Sequence, residues 1–285
     1  MQDKPTVFLN HKLQKLFLKD GYVLLSNLLD SNDIASLMDV YREYQQEIAA
    51  PFHTTHFSKN ITYKRAAHNA ISKVVFKKIA PFLSNYQPLF GNFMVKNPDP
   101  NIALDIHTDW TYVDESTDTS LSIWVPLTDT NLQNGCLGVV KGSHQISNAI
   151  RGPLIRESSR NHNDLWASRF GSLLPMQAGD AILYHHGLLH FSPPNKSTQA
   201  RPAVNLTVVP QGVNYMHYCL PEGATAIEQY SVPNSDFYIN YNHFERPPSP
   251  TLVKTIPIGE IKFIDPKMKN FRLKRLIRNL CKLSV

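Results

Sequence analysis

Apolar side chains recur at helical spacing through the first part of the chain, and from about Leu89 the period changes to short, strand-like segments. Leu13, Leu16 and Phe17 predict a helix over Asn10–Lys19, stopped by Asp20-Gly21. Tyr22–Leu25 reads as a short strand. Ser31 then caps a helix over Asn32–Ile48, with Ile34, Leu37, Met38 and Tyr41 on its apolar face and Pro51 after its end. Pro51–Ala70 mixes histidine, threonine and aromatics without a period, which predicts loops over or near a site. Ser72–Leu83 is helical again.

Beyond Leu89 the segments are short and strand-like: Phe90–Lys96, Ala103–Tyr112, Ser120–Leu127, Leu137–Val140, Ser172–Pro175, Ala181–His186 and Ala203–Val209. Turn chemistry separates them, as at Asn134-Gly135, Lys141-Gly142-Ser143 and Gly179-Asp180. Short strands without intervening helices predict a sandwich or barrel, the group to which jelly rolls belong. The polar insert His144–Gly171 reads as a long loop with a helical turn or two. Tyr230–Pro250, polar and aromatic without period, reads as an extended segment. Leu273, Leu276, Ile277, Leu280 and Leu283 share one face of a C-terminal helix. We expect one domain over 1–285, with an N-terminal helical cover (1–88), a β core (89–210) and a C-terminal lid segment with a basic helix (211–285).

Composition adds three constraints. Hydrophobic residues make up 42% of the 285 and charged residues 18%, which suits a folded chain and argues against extensive disorder. No apolar run reaches the roughly 18 residues that span a bilayer, and the start shows no signal-peptide pattern. Cys136, Cys219 and Cys281 are odd in number and widely spaced, giving neither a disulfide framework nor a zinc ribbon, which fits a reducing cytoplasm. The net charge of +6 is concentrated from Pro250 onward, where nine Lys/Arg face only Glu260 and Asp265. That tail reads as a docked helix with a solvated basic face, or as a surface for membrane lipid or nucleic acid. The aromatic-plus-basic layout of a nucleic-acid module is missing.

The candidate chemistry lies at His107-Thr108-Asp109. On a strand, alternate side chains share a face, so His107 and Asp109 point the same way. A histidine from a distant strand would complete two imidazoles and one carboxylate, the facial set of non-haem Fe(II) oxygenases. His185, His186 and His190 compete for that place. Trp110 and Tyr112 flank the motif, facing away by alternation or lining a pocket at the strand's end. Lys96 reads as solvent-exposed, with contact to an acidic group as the alternative.

The run Gly179-Asp180 to His190, with Ser192 two positions later and Arg201 eleven positions beyond the histidine, resembles the phytanoyl-CoA dioxygenase family of Fe(II)/2-oxoglutarate oxygenases. Asp20-Gly21-Tyr22, Asn97-Pro98-Asp99-Pro100, Trp124–Leu127, Asn134-Gly135-Cys136-Leu137 and Lys141-Gly142-Ser143-His144 carry the same likeness. It runs from Leu13 to Val209 and thins beyond. It implies a double-stranded β-helix (jelly roll), and Fe(II) held by His107, Asp109 and His190 with three adjacent positions left for 2-oxoglutarate and O2. It also implies Arg201 on the far carboxylate of 2-oxoglutarate, Ser192 adding a hydrogen bond, and Trp124 in the core or reaching toward the co-substrate. An arginine supplies a forked, permanently charged donor there, which lysine does not. Related halogenases lack the carboxylate ligand, so Asp109 favours hydroxylation of a small molecule, free or carrier-tethered. Desaturation, epoxidation or cyclisation by the same machinery, a structural zinc site, and a membrane- or nucleic-acid-associated scaffold stand as rivals. Substrate and oligomeric state are not legible.

Overall fold

A computed structural model describes residues 6–146, 149–155, 163–241 and 251–257. The strands are β1 (Tyr22–Leu25), β2 (Phe52–Thr54), β3 (Tyr86–Lys96), β4 (Leu104–His107), β5 (Leu121–Pro126), β6 (Leu137–Val140), β7 (Gly171–Leu174), β8 (Ala181–His185), β9 (His190–Ser192), β10 (Arg201–Pro210), β11 (Tyr215–Cys219), β12 (Ala226–Val232) and β13 (Thr251–Pro257). The helices are α1 (His11–Asp20), α2 (Ser31–Glu43), α3 (Ile61–Ile71), α4 (Lys77–Ile79), α5 (Asn163–Phe170) and α6 (Asp236–Asn240). Three antiparallel sheets form, in the orders β1-β8-β5-β10-β3-β2, β4-β9-β6-β7 and β11-β12-β13. The first two are the sheets of a double-stranded β-helix.

The large sheet is buried on both faces, and its alternation divides two kinds of interior. Phe93, Val95, Ile123, Val125, Val204, Leu206 and Val208 pack against Phe17, Leu37, Ala67 and Ile71 of the helical layer. The intervening positions look toward the small sheet, where Trp124, Ala203, Ile182 and Tyr184 meet Leu137 and Val139. On that inner face Asn92, Lys96, Ser122, Arg201 and Asn205 are buried although polar. Buried polar groups demand partners, so this face is where a site belongs.

Several local expectations change. Asp30, not Ser31, caps α2: its carboxylate accepts from Asn32 N and Asp33 N, and Asp33 answers in a capping box. The helix ends at Glu43, and a 3-10 turn over Gln45–Glu47 follows. Pro51–Ala70 is not a set of loops. It contains β2, a 3-10 turn over Thr55–Phe57, and α3 capped by Asn60. The buried side of α3 is Tyr63, Lys64, Ala67 and Ile71; a lysine and an alanine among four core positions hide its period. The N-terminal segment also adds β1 and β2 to the large sheet, so it is more than a helical cover. The strand expected over Ala103–Tyr112 stops at His107. Tyr230–Pro250 is not simply extended: Tyr230 lies in β12, and Asp236–Asn240 is α6. The expected C-terminal helix with Leu273 and Leu280 lies outside the described residues. Among the described residues no helix is long and apolar enough to cross a membrane.

Candidate metal centre and anion pocket

β4 and β9 pair antiparallel with His107 directly opposite His190, and their ring centroids are 4.2 Å apart. Each ring uses Nδ1 against a backbone carbonyl: His107 on Asp105 O at 2.7 Å, His190 on Leu188 O at 2.9 Å. A carbonyl only accepts, so Nδ1 carries the proton and Nε2 keeps its lone pair free. That is how a protein orients imidazoles as metal ligands. Burial, then repulsion from His107, pulls His190 down to about 4, leaving it neutral and able to ligate at pH 7.

Asp109 completes the cluster, though not by strand alternation, because β4 has already ended. Loop contacts place it instead. Its N–H donates to His186 O at 2.9 Å, and Arg151 Nε donates to its carbonyl at 2.7 Å. Arg151 is itself clamped by both Glu115 oxygens, at 2.9 and 2.5 Å. Asp109 Oδ1 lies 3.5 Å from His190 Nε2, and Oδ2 accepts from Ser122 Oγ at 2.6 Å. Burial pushes this carboxyl up, but His190, His186, His107 and the Ser122 hydrogen bond together outweigh it and hold it at about 2. One ligand atom from each of His107, Asp109 and His190 lies within 4.8 Å of the others. These three atoms can hold one metal ion from one side.

A cavity has His190 and Arg201 in its lining, with Trp124, Tyr184 and Ser192 also in its wall. Arg201 begins β10 and is 3% exposed; its guanidinium carbon sits 5.3 Å from the centre of the Trp124 ring. Its Nε and one terminal nitrogen have no acceptor. Burial lowers Arg201 to about 10, so it stays charged at neutrality. Such a buried, half-satisfied guanidinium fits a ligand carboxylate.

Lys96 corrects an expectation. It is 1% exposed rather than solvated, and it pairs in register with Arg201. Among the described residues its ammonium meets no acid; it donates to Ser192 O at 2.9 Å, Ser192 Oγ at 2.7 Å and Pro193 O at 2.5 Å. Strand alternation turns it inward beside Arg201, and burial, then repulsion from Arg201, lowers it to about 7. Ser192 Oγ is engaged by Lys96 and Gly135 O. Gly135 has φ +75°, and a Cβ there would come within 2.5 Å of Pro193 O, which explains the glycine of the Asn134-Gly135 turn.

The remaining candidates lie elsewhere around the centre. Trp110 packs on His56 and Phe57, and Tyr112 packs on Phe90, Tyr238 and the edge of His186. His185 packs among Phe17 and His144. His186 is buried against Ser120 Oγ at 2.7 Å. Sequence reasoning missed Ser122, Asn205, Arg151 and Glu115. Ser122 and Asn205 carried a signal, as polar residues at inward positions of apolar strands; Arg151 and Glu115 carried none.

Comparison with known proteins agrees with this architecture. The computed fold is similar to that of the epimerase SnoN in complex with Fe3+, alpha ketoglutarate and nogalamycin RO, with TM-score 0.55 and 17% identity over 87% of this chain and 94% of that one. Phytanoyl-CoA dioxygenase 1 of Oryza sativa subsp. japonica is 26% identical over 67% of this chain and 76% of its own length. Phytanoyl-CoA dioxygenase of Arabidopsis thaliana is 28% identical over 47% of this chain, and the match spans about half, 49%, of that relative. Residues 17–203 match the family described as Phytanoyl-CoA dioxygenase (PhyH), a stretch that takes in both histidines, Asp109 and Arg201, and the chain belongs to that family.

Proposed function

We propose that this chain is an Fe(II)- and 2-oxoglutarate-dependent oxygenase that hydroxylates a small molecule. The observation that carries the reading is the pairing of His107, Asp109 and His190 with a cavity lined by His190 and the unsatisfied Arg201 guanidinium. The donor set suits Fe(II), and the cavity suits a dicarboxylate reaching from the metal to Arg201. Iron, 2-oxoglutarate and O2 supply the oxidising chemistry, releasing succinate and CO2. The chain's own residues do the rest. Ser122 and Arg151 hold Asp109 in place, Arg201 provides the positive end of the pocket, Lys96 holds Ser192 beside it, and Trp124 excludes water beside the guanidinium. A structural zinc site would close with a fourth protein ligand, whereas among the described residues this cluster has three, and His190 lines a cavity.

Asp109 occupies a ligand position that halogenating relatives leave vacant, which supports hydroxylation over halide transfer. The experiment is succinate release from protein supplied anaerobically with Fe(II) and 2-oxoglutarate, then exposed to O2. Slow succinate formation by the wild type and none by His107→Ala or Arg201→Ala is the expected result. Absence of both succinate and 2-oxoglutarate binding would overturn the reading.

A further inference from the structure

A second, small cavity, half open to solvent, shares no lining residue with the Arg201 pocket. Its wall includes Thr55, His56, Lys64, Phe90, Asn92 and Tyr238. Lys64 is 6% exposed, yet its ammonium donates only to Tyr241 O, at 3.1 Å. Among the described residues no carboxylate comes within ion-pair distance of it. An ammonium has three donors, and a buried cation without a counter-charge is costly. Asn92 is 4% exposed; its amide nitrogen donates to Thr54 Oγ1 at 2.8 Å while its Oδ1 has no donor. Among the described residues the cavity therefore offers a positive charge with no acid beside it, next to an unused acceptor.

Two lines tie this cavity to the metal centre. Asn92 pairs in register with Asn205, whose amide donates to Ser122 Oγ at 3.4 Å, and Ser122 donates to Asp109. His56 stands within electrostatic reach of both Lys64 and Asp109, and its ring lies 5.4 Å from Trp110, the residue after Asp109. We propose that the substrate carries an anionic group, a carboxylate or a phosphate, with a hydroxyl or amide N–H beside it, and that Lys64 and Asn92 bind that end. This rests on the oxygenase reading and adds the substrate class to it. Burial lowers Lys64 only to about 8, so it is still largely charged at neutral pH.

The test is calorimetric titration of the anaerobic Fe(II) protein holding one equivalent of 2-oxoglutarate. The probes are lactate, mandelate and tropate, each beside its primary amide, and phenyl phosphate beside phenol. The expected result is that an anionic probe binds at least about tenfold more tightly than its neutral counterpart. Phenyl phosphate above the acids would assign the anion as phosphate, and the reverse order as carboxylate. Lys64→Met removes the preference and Lys64→Arg keeps it. Asn92→Asp, which sets a competing carboxylate against Lys64, also removes it. Affinity for 2-oxoglutarate stays within about twofold in the two Lys64 variants, since Arg201 is untouched. Equal binding of acids and amides, no binding by any probe, or a preference that survives Lys64→Met would overturn the proposal. An anion preference at Lys64 without succinate formation would support this subsite and count against the oxygenase reading.

Discussion

Arg201 is the residue on which co-substrate binding turns, and its shape matters as much as its charge. The guanidinium is buried over Trp124 with two nitrogens unused. Arg201→Lys keeps a cation but loses the planar fork and the stacking. We expect KM for 2-oxoglutarate to rise about 10- to 100-fold, with a smaller change in kcat, read from succinate kinetics. Ser122 acts one shell further out, holding the Asp109 carboxylate at 2.6 Å. Ser122→Ala should weaken Fe(II) binding by about 10- to 100-fold, measured by anaerobic metal titration, while leaving 2-oxoglutarate affinity near that of wild type. Arg201 was legible in the sequence because its interval from His190 is a motif. Lys96 was not: only the pairing of β3 with β10 brings it beside Arg201.

At the scale of elements, the metal centre joins the ends of two strands to a loop. His107 and His190 face each other across β4 and β9, and β6 pairs with the other edge of β9. Asp109 lies past the end of β4 and depends on the segment that carries Arg151. The Arg151–Glu115 pair is 6% and 12% exposed on its two side chains, so removing one partner strands a buried charge. Glu115→Ala should lower stability by about 3–5 kcal/mol, seen as a fall in the urea midpoint, and should weaken Fe(II) binding as well. An unchanged midpoint would show that the clamp is not structural. The alternation of His107 and Asp109 suggested that both belong to one strand. They share a face for another reason, since hydrogen bonds from Asp109 N to His186 O and from Arg151 to Asp109 O set the loop. Such contacts join residues distant in sequence and leave no local pattern.

At the scale of the whole molecule, burial of polar groups makes the fold acid-sensitive. Burial, then repulsion from Lys64, holds His56 down to about 3; burial holds His217 down to about 4. Unfolded, both titrate near 6.5. Above that pH neither state takes up these protons. As pH falls below it, the unfolded chain is protonated and the folded one is not, so stability declines until the folded pKa values are passed. The expected loss for metal-free protein is about 2 kcal/mol per histidine between pH 7 and pH 5, measured by urea unfolding. His217 sits among the rings of Phe237 and Tyr241, so His217→Phe should fill the site and make the decline shallower.

The sequence by itself determined a β core of sandwich or barrel type, because short strands and turn residues are local signals that survive in one dimension, and the family resemblance narrowed it to a jelly roll. It also marked His107, Asp109, His190 and Arg201, whose spacing is a motif. Only the tertiary structure decided which polar residues face inward together. Lys96 beside Arg201, Ser122 on Asp109, the Arg151–Glu115 clamp and the Lys64–Asn92 cavity all follow from strand register and long-range packing. A buried lysine in α3 reads locally as a surface residue. Its charge acquires a meaning only when the surrounding elements exclude water and, among the described residues, bring no acid to it.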